Sequence, residues 1–131
     1  MAPFVLTFFY FIAAIIIVII GLVLFEWLTT KYKDWEQIKQ GNQAIALSVA
    51  GKIVGICIVL AFAIYHSITI TETLIWGAYG MVLQLVAYFI FEALTRSFSV
   101  EEQLKENNLA VGIISFGVSL GLAFVIGASI T

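Results

Sequence analysis

Four long apolar runs alternate with short polar segments along the chain. The runs cover residues 3–24, 44–65, 73–93 and 109–130, and Glu92 is the charged residue near the end of the third run. Each run has the length that a helix needs to cross a bilayer, roughly 20 mostly apolar residues. The pattern therefore predicts an all-α membrane protein with four transmembrane helices.

The pattern of apolar and polar segments repeats after 66 residues. Residues 25–55 align with residues 91–121 without a gap, and eleven of the 31 positions are identical. Chance would give about two or three matches, so the chain contains an internal duplication. We predict two tandem two-helix repeats, residues 1–66 and residues 67–131, within one integral membrane domain. Because each repeat has two spans, the repeats have a parallel orientation, related by rotation about the membrane normal.

Composition excludes most soluble functions. The 131 residues are 63% hydrophobic and 11% charged, whereas soluble domains average about 25% charged residues. The net charge of −2 argues against a nucleic-acid partner, and membrane lipid is the expected surrounding. The single cysteine, Cys57, lies inside the second apolar run, where we expect a small core residue.

Positive charges outside the apolar runs occur in only two connections. Lys31, Lys33 and Lys39 lie between the first and second runs, and Arg96 and Lys105 lie between the third and fourth. Cytoplasmic loops of membrane proteins carry an excess of Lys and Arg. The distribution predicts that both connections are cytoplasmic and that both termini are extracytoplasmic.

Each charged connection also carries signals for a short helix. Asp34 is a capping residue, and Ser99 followed by Glu102 fits a capping box. We therefore predict a short interfacial helix in each cytoplasmic loop. Asn42 and Asn108 follow these segments and are predicted to cap the returning transmembrane helices.

Small residues recur at helical spacing in the second and fourth runs. Gly51 and Gly55 are separated by three residues, and Gly117 and Gly121 repeat that spacing. Such faces let membrane helices approach closely and gain van der Waals contact. We predict that all four glycines face other helices; a surface on which an ion or ligand approaches the backbone is the alternative.

Lys52 is a charge in the middle of an apolar run. At 1.5 Å per residue it lies roughly 13 Å deep, where a charge costs on the order of 3 kcal/mol, so it should face a partner or water. Gln84 reaches a similar depth and is the predicted neighbour. Lys52 is either a structural or snorkelling residue or a permeation or substrate contact. A single four-helix unit offers little interior for it, which favours a homo-oligomer.

Glu26 and Glu92 end the first and third runs and occur in both repeats. They form either carboxylates of an inner cation vestibule or interfacial carboxylates bonded to the loops, with Glu92 paired to Arg96 one turn away. The sequence shows no nucleophile–base set, no phosphate loop and no cluster of metal ligands. It therefore predicts neither an enzyme, nor a cofactor, nor a metal site.

The doubled motif also resembles a known family. The residues that carry the likeness are Phe25-Glu26, Gly41-Asn42-Gln43-Ala44 and Gly51 in the first copy, and Phe91-Glu92, Asn108-Leu109-Ala110 and Gly117 in the second. They resemble the domain of unknown function 350 family, the YjfL-like small bacterial inner-membrane proteins. The resemblance implies a four-span, multi-pass protein of the bacterial plasma membrane, associated with membrane stress but without an established activity. Asn107 replaces Gly41 in the second copy, so a different turn is expected there.

Two classes of function remain open at this stage. The first is a structural or regulatory membrane module that self-assembles as a homo-oligomer and binds a cytoplasmic or membrane protein partner. The second is an oligomeric ion channel or small-solute conduit, with Lys52, Gln84, Glu26 and Glu92 near the path. Four helices can hardly enclose a pore alone, so conduction would also require several copies.

Overall fold

Six helices make up the described part of the chain. The computed structural model describes residues 2–28, 34–94 and 100–130, and every regular element in these ranges is a helix. In chain order they are α1 (Pro3–Leu28), α2 (Asp34–Lys39), α3 (Gln43–His66), α4 (Ile70–Leu94), α5 (Val100–Lys105) and α6 (Leu109–Ser129). The helices α1, α3, α4 and α6 are long and apolar enough to cross a membrane, which confirms the prediction of four spans.

Short helices are present in both of the predicted connecting segments. Helix α2 precedes α3, and α5 precedes α6, each with a turn of a few residues between them. The turn before α3 passes through Gly41 at φ 86°, and the turn before α6 passes through Asn107 at φ 60°. Asn adopts the left-handed region more readily than other non-glycine residues. The two turns therefore share one backbone form, and the expectation of a different second turn is wrong. Ser99, and the side chain of Asp34, lie outside the described residues.

Helix α3 occupies the centre of the bundle and contacts each of the other helices. Its most extensive neighbour is α6. The two helices lie side by side and run in the same direction, since Ala44 packs against Gly112 at one level and Ser48 bonds to Ser115 at the next.

Glycines set the distance between α3 and α6. A Cβ atom on Gly112 would lie 2.8 Å from both Cα and the carbonyl oxygen of Ala44, and one on Gly51 would lie 3.0 Å from Cα of Phe116. Both obstacles are backbone atoms, which cannot rotate away. The small residues therefore permit a close crossing whose energy comes from backbone packing.

Helix α1 is the most peripheral span. It packs on α3 and α4 through Ile17, Gly21 and Phe25, while its opposite side leaves apolar side chains such as Phe4 and Ile19 exposed. Exposed apolar surface of this kind is suited to lipid. Cys57 of α3 is also exposed and lines a groove between α3 and α1. The expectation of a buried core cysteine was wrong, because the side of α3 on which it lies is only partly covered by α1.

Candidate functional site

Several polar side chains of the long helices are buried inside the bundle. Lys52 of α3 is 1% exposed, and Ser48, one turn earlier, is equally buried. Gln84 of α4 and Ser115 of α6 are each 4% exposed. We call these four residues the buried polar cluster. Because polar groups away from water need partners, their contacts decide what the cluster can do.

Two aromatic rings hold the Lys52 ammonium. Its Nζ lies 5.1 Å from the ring centroid of Phe25 in α1 and 5.0 Å from that of Tyr88 in α4. The two rings meet edge to face, 5.8 Å apart. Cation–π attraction grows when the cation is desolvated, so this arrangement stabilises the charge inside the bundle. Sequence reasoning nominated Gln84 and missed both rings; the repeated Phe–Glu pair was the available signal for Phe25.

A single chain buries Lys52, and this corrects the sequence argument for an oligomer. The expectation was that four helices lack an interior for a lysine, yet the side chain is 1% exposed. The reason is that glycines bring α3 and α6 close together while Phe25 and Tyr88 cover the remaining side. Lys52 therefore needs no second copy of the chain for its burial.

Gln84 connects α4 to α6 across the surface of α3. Its amide nitrogen donates a hydrogen bond to the carbonyl oxygen of Ser119 at 3.1 Å. A Cβ atom on Gly55 would lie 2.6 Å from that nitrogen, so a side chain at position 55 would displace the amide from its present place. The other amide atom, Oε1, is buried without a hydrogen-bond partner among the described residues, which is an unusual condition for a buried acceptor.

A small cavity adjoins the cluster between α4 and α6. It measures about 10 Å³ and is lined in part by Gln84, Ser115 and Ser119 together with the two rings that hold Lys52. A space of this size accommodates about one water molecule. Within the described residues, this cavity is too small to carry solutes across one chain.

The serines complete the contact between α3 and α6. The hydroxyl of Ser115 donates to the hydroxyl of Ser48 at 3.2 Å, and the backbone of Ser119 accepts from Gln84 as described above. Interhelical hydrogen bonds of this kind stabilise membrane helix pairs modestly. None of these serines was singled out from the sequence, because Ser is common at small-residue helix faces and carries no distinctive spacing.

The predicted carboxylate pair is described only in part. Glu26, near the end of α1, is half-buried. The backbone of Glu92 belongs to α4, but its side chain lies outside the described residues, and so does Arg96. The vestibule and the interfacial pairing both remain predictions.

The four predicted packing glycines divide into two pairs. Gly51 and Gly55 are buried against α6. Gly117 and Gly121 are exposed, and a Cβ on either would meet nothing within 4 Å. Within one chain the second pair therefore does not face another helix, and a helix contact at Gly117 and Gly121 stays a prediction. The reason is that α6 turns a different side, with Gly112, towards α3.

The two predicted caps also differ. The Asn42 side chain accepts a hydrogen bond from the Ile45 amide at 3.0 Å and donates to the carbonyl oxygens of Leu104 and Lys105 at 2.8 and 3.1 Å. Asn108 stands at the N-cap of α6 but makes no side-chain cap bond.

Asn107 is a third polar residue of these two turns, and it was not selected as a site from the sequence. Its Oδ1 accepts from the Ala44 amide at 3.0 Å. Together with the bonds that Asn42 donates to the end of α5, this contact ties the start of α3 to the turn before α6. The two halves of the chain are therefore joined at this end of the bundle as well as through the buried polar cluster.

Comparison with known proteins places this architecture in a family. The sequence profile of the Domain of Unknown Function family DUF350 matches residues 1–130. The chain belongs to the DUF350 family. It is 42% identical over 121 residues to UPF0719 transmembrane protein YshE of Bacillus subtilis (strain 168), covering 92% of this chain and 90% of the relative.

A more distant relative extends the comparison. UPF0719 inner membrane protein YjfL of Escherichia coli (strain K12) is 28% identical over 104 residues, which cover 79% of this DUF350 chain and 76% of the relative. No solved structure matches the chain. The names of both relatives describe membrane proteins, in agreement with the four spans, and they name no substrate or reaction. Function in this DUF350 protein must therefore be argued from its own surfaces.

Proposed function

We propose that this DUF350 protein is a self-assembling module of the bacterial plasma membrane with a structural or regulatory role. The observation that carries the proposal is the exposed side of α6. Gly117 and Gly121 face outward there with open space around them, whereas Gly51 and Gly55, 66 positions earlier, support a close helix contact. A glycine pair offers lipid chains little surface for contact, but it lets a second helix approach closely and gain van der Waals contact.

The repeat and its orientation are part of the proposal. The bounds of α2 and α5 are separated by 66 residues, as the sequence repeat requires, and α3 and α6 run in the same direction. These facts support two tandem two-helix repeats in parallel orientation. Combined with the positive charges near α2 and α5, they support cytoplasmic connections and extracytoplasmic termini. Cysteine labelling that placed residues 31–41 outside the cell would contradict this orientation.

The mass of the protein in lipid nanodiscs tests self-assembly. We expect a dimer or a larger homo-oligomer for the natural sequence and a shift towards monomer for Gly117→Leu, because a leucine fills the space that a neighbouring helix needs. Ala78→Leu is a matched control, since Ala78 is also exposed but belongs to another helix, α4.

Two results would contradict self-assembly. The first is a natural protein that stays monomeric in nanodiscs at every protein-to-lipid ratio. The second is an oligomer whose size responds equally to Gly117→Leu and Ala78→Leu.

A protein partner in the membrane-stress response is a further part of the proposed role, and it rests on the family resemblance alone.

The buried polar cluster favours a second candidate, an oligomeric conduit for ions or small solutes. A lysine held between rings beside a buried glutamine and serines is a costly arrangement in a membrane. The small cavity within one chain means that a path would have to form between copies. Lys52, Gln84, Glu26 and Glu92 are the residues that this candidate places near the path.

Reconstituted bilayers separate the two candidates. If Lys52 is structural, Lys52→Met should leave conductance at background and change stability little, because an apolar replacement of a buried polar contact is often tolerated. If the protein is a conduit, the natural sequence should conduct and Lys52→Met should alter charge selectivity while circular dichroism stays unchanged. Absence of conductance from a verified oligomer would exclude the conduit.

A further inference from the structure

An open groove runs between α1 and α3. It measures about 400 Å³ and is lined almost entirely by apolar side chains. We call it the α1–α3 groove, and its lining residues are Phe11, Ala14, Ile15, Val18, Ile19, Cys57, Leu60, Ala61 and Ile64. Nothing in the described part of the chain fills this space.

The corresponding groove in the second half of the chain is filled in part, although Gly80, Ile126 and Ile130, the counterparts of Ala14, Leu60 and Ile64, also line an open space of about 330 Å³. Adding 66 to the lining residues gives positions on α4 and α6, and helix α3 lies in the space between them. Gly80, equivalent to Ala14, packs against Val59; Gly127, equivalent to Ala61, packs against Phe62. The filled groove therefore shows what shape the open groove fits: a helix that follows the course of α3.

The chain carries a second helix with the corresponding surface. The residues with which α3 enters the filled groove include Gly55, Val59, Phe62 and Ala63. Their counterparts 66 positions later are all exposed, and we call them the outer face of α6: Gly121, Val125, Ala128 and Ser129. An open groove between α1 and α3 and an uncovered face of α6 are thus both present in every copy.

We propose that the outer face of α6 docks in the α1–α3 groove of a second copy of this chain. This inference rests on the proposed self-assembly and names its geometry. The contact is head-to-tail, because the two surfaces are different, and such contacts propagate into a ring or an open chain. Since α3 and α6 run in the same direction, docking by this rule keeps every copy in one orientation in the membrane.

The surfaces are equivalent without being identical. Phe11 stands in the open groove where Gly77 stands in the filled one, and Ala128 stands on the outer face of α6 where Phe62 stands on α3. The open groove therefore carries a ring at position 11, whereas in the filled groove the ring of Phe62 comes from the inserted helix and packs against Gly127, which is a different position. The small side chains of Ala14 and Ala61 keep the approach close at the adjoining positions.

The internal contact predicts which atoms meet between copies. A Cβ atom on Gly55 would lie 3.5 Å from Cβ of Ala123. The residues 66 positions removed are Gly121 and Cys57, so a cysteine at position 121 should lie within disulfide range of the Cys57 of its neighbour, about 3.5–4.5 Å between Cβ atoms.

Oxidative cross-linking of Gly121→Cys in native membranes tests the geometry. We expect a ladder of covalent dimers and larger species on a non-reducing gel, which a reductant reverses. The ladder should be lost in Gly121→Cys with Cys57→Ser. Ile114→Cys is the matched control: it is exposed on the same helix but about 10 Å away along the axis, and it should give no ladder with Cys57.

Each other outcome contradicts the inference in a recognisable way. Cross-linking of Gly121→Cys in the Cys57→Ser background would show a symmetric contact between α6 helices, which overturns the head-to-tail geometry but not self-assembly. Equal ladders from Gly121→Cys and Ile114→Cys would show random collision and overturn the geometry too. An oligomeric mass in nanodiscs without any cross-link would also overturn the head-to-tail geometry. A monomeric mass without a cross-link means that lipid fills the groove, and it overturns both proposals.

Discussion

Helices α3 and α6 each carry two glycines separated by three residues, but the two pairs differ in burial. On α3 the face with Gly51 and Gly55 is buried against α6 and against the amide of Gln84. On α6 the corresponding face with Gly117 and Gly121 is exposed. The contact between the two helices joins unlike surfaces, since α6 presents Gly112 and Ser115 in return. Helices with a similar residue pattern therefore contribute non-equivalent faces to their interface.

That asymmetry identifies surfaces that have no packing partner within the chain. If two equivalent faces packed on each other, both would be satisfied and nothing would remain for a partner. Because α3 and α6 use different faces in their contact, the face of α6 with Gly117 and Gly121 and the α1–α3 groove both stay uncovered. Interfaces of this type extend until the assembly closes or ends.

Replacing one glycine on each helix tests the difference between the two faces most strongly. In isolated monomers, Gly51→Leu should lower the free energy of unfolding by about 3 kcal/mol, because its side chain would collide with the backbone of Phe116 and force the helices apart. Gly117→Leu should change it by less than about 0.5 kcal/mol. Circular dichroism during SDS titration of detergent-solubilised protein measures both. Equal losses would show that the two faces are equally packed.

The two capping asparagines offer the next contrast. Asn42→Ala should cost about 2 kcal/mol, since it removes a helix cap and two bonds to the end of α5. Asn108→Ala should cost about 0.5 kcal/mol, because its side chain makes no cap bond. The same SDS titration reports the difference, and an inverted order would contradict the assigned bonds.

Gln84 on α4 and Val18 on α1 are 66 positions apart, and Gln84 lines the small cavity whereas Val18 lines the α1–α3 groove. Gln84→Met should change stability by no more than about 1 kcal/mol, because it loses one hydrogen bond but also removes a buried acceptor that lacks a partner among the described residues. Val18→Met is the control and should be neutral in monomers. If Gln84→Met lowered the free energy of unfolding by several kcal/mol while Val18→Met did not, Oε1 would have a strong hydrogen-bond partner.

The smallest expected effect concerns the two turns. Gly41→Asn should cost only a few tenths of a kcal/mol, since Asn107 already adopts the left-handed form at the equivalent position, whereas Gly41→Val should cost about 1–2 kcal/mol. Thermal melts of the two variants check this. If Asn were as costly as Val, the turns would not be interchangeable.

Much of the architecture could be predicted from local pattern. Apolar length predicted the four spans, and loop composition predicted helices α2 and α5, because both depend on nearby residues and on the bilayer thickness. The depth of Lys52 followed from helical rise and correctly marked it as a residue that needs burial or partners. The aromatic rings around it could not be predicted, since they come from helices α1 and α4 and depend on how these rotate against α3.

The sequence by itself determined a four-span membrane protein with a doubled pattern, a deep lysine and two glycine pairs, because hydropathy and spacing act within single helices. Only the tertiary structure decided which glycine pair is buried, what holds Lys52 and where Cys57 points. These depend on the rotation of each helix about its own axis, which is selected by the packing of unlike surfaces. One rotation of α6 places Gly112 against Ala44, and that same rotation turns Gly117 and Gly121 outward.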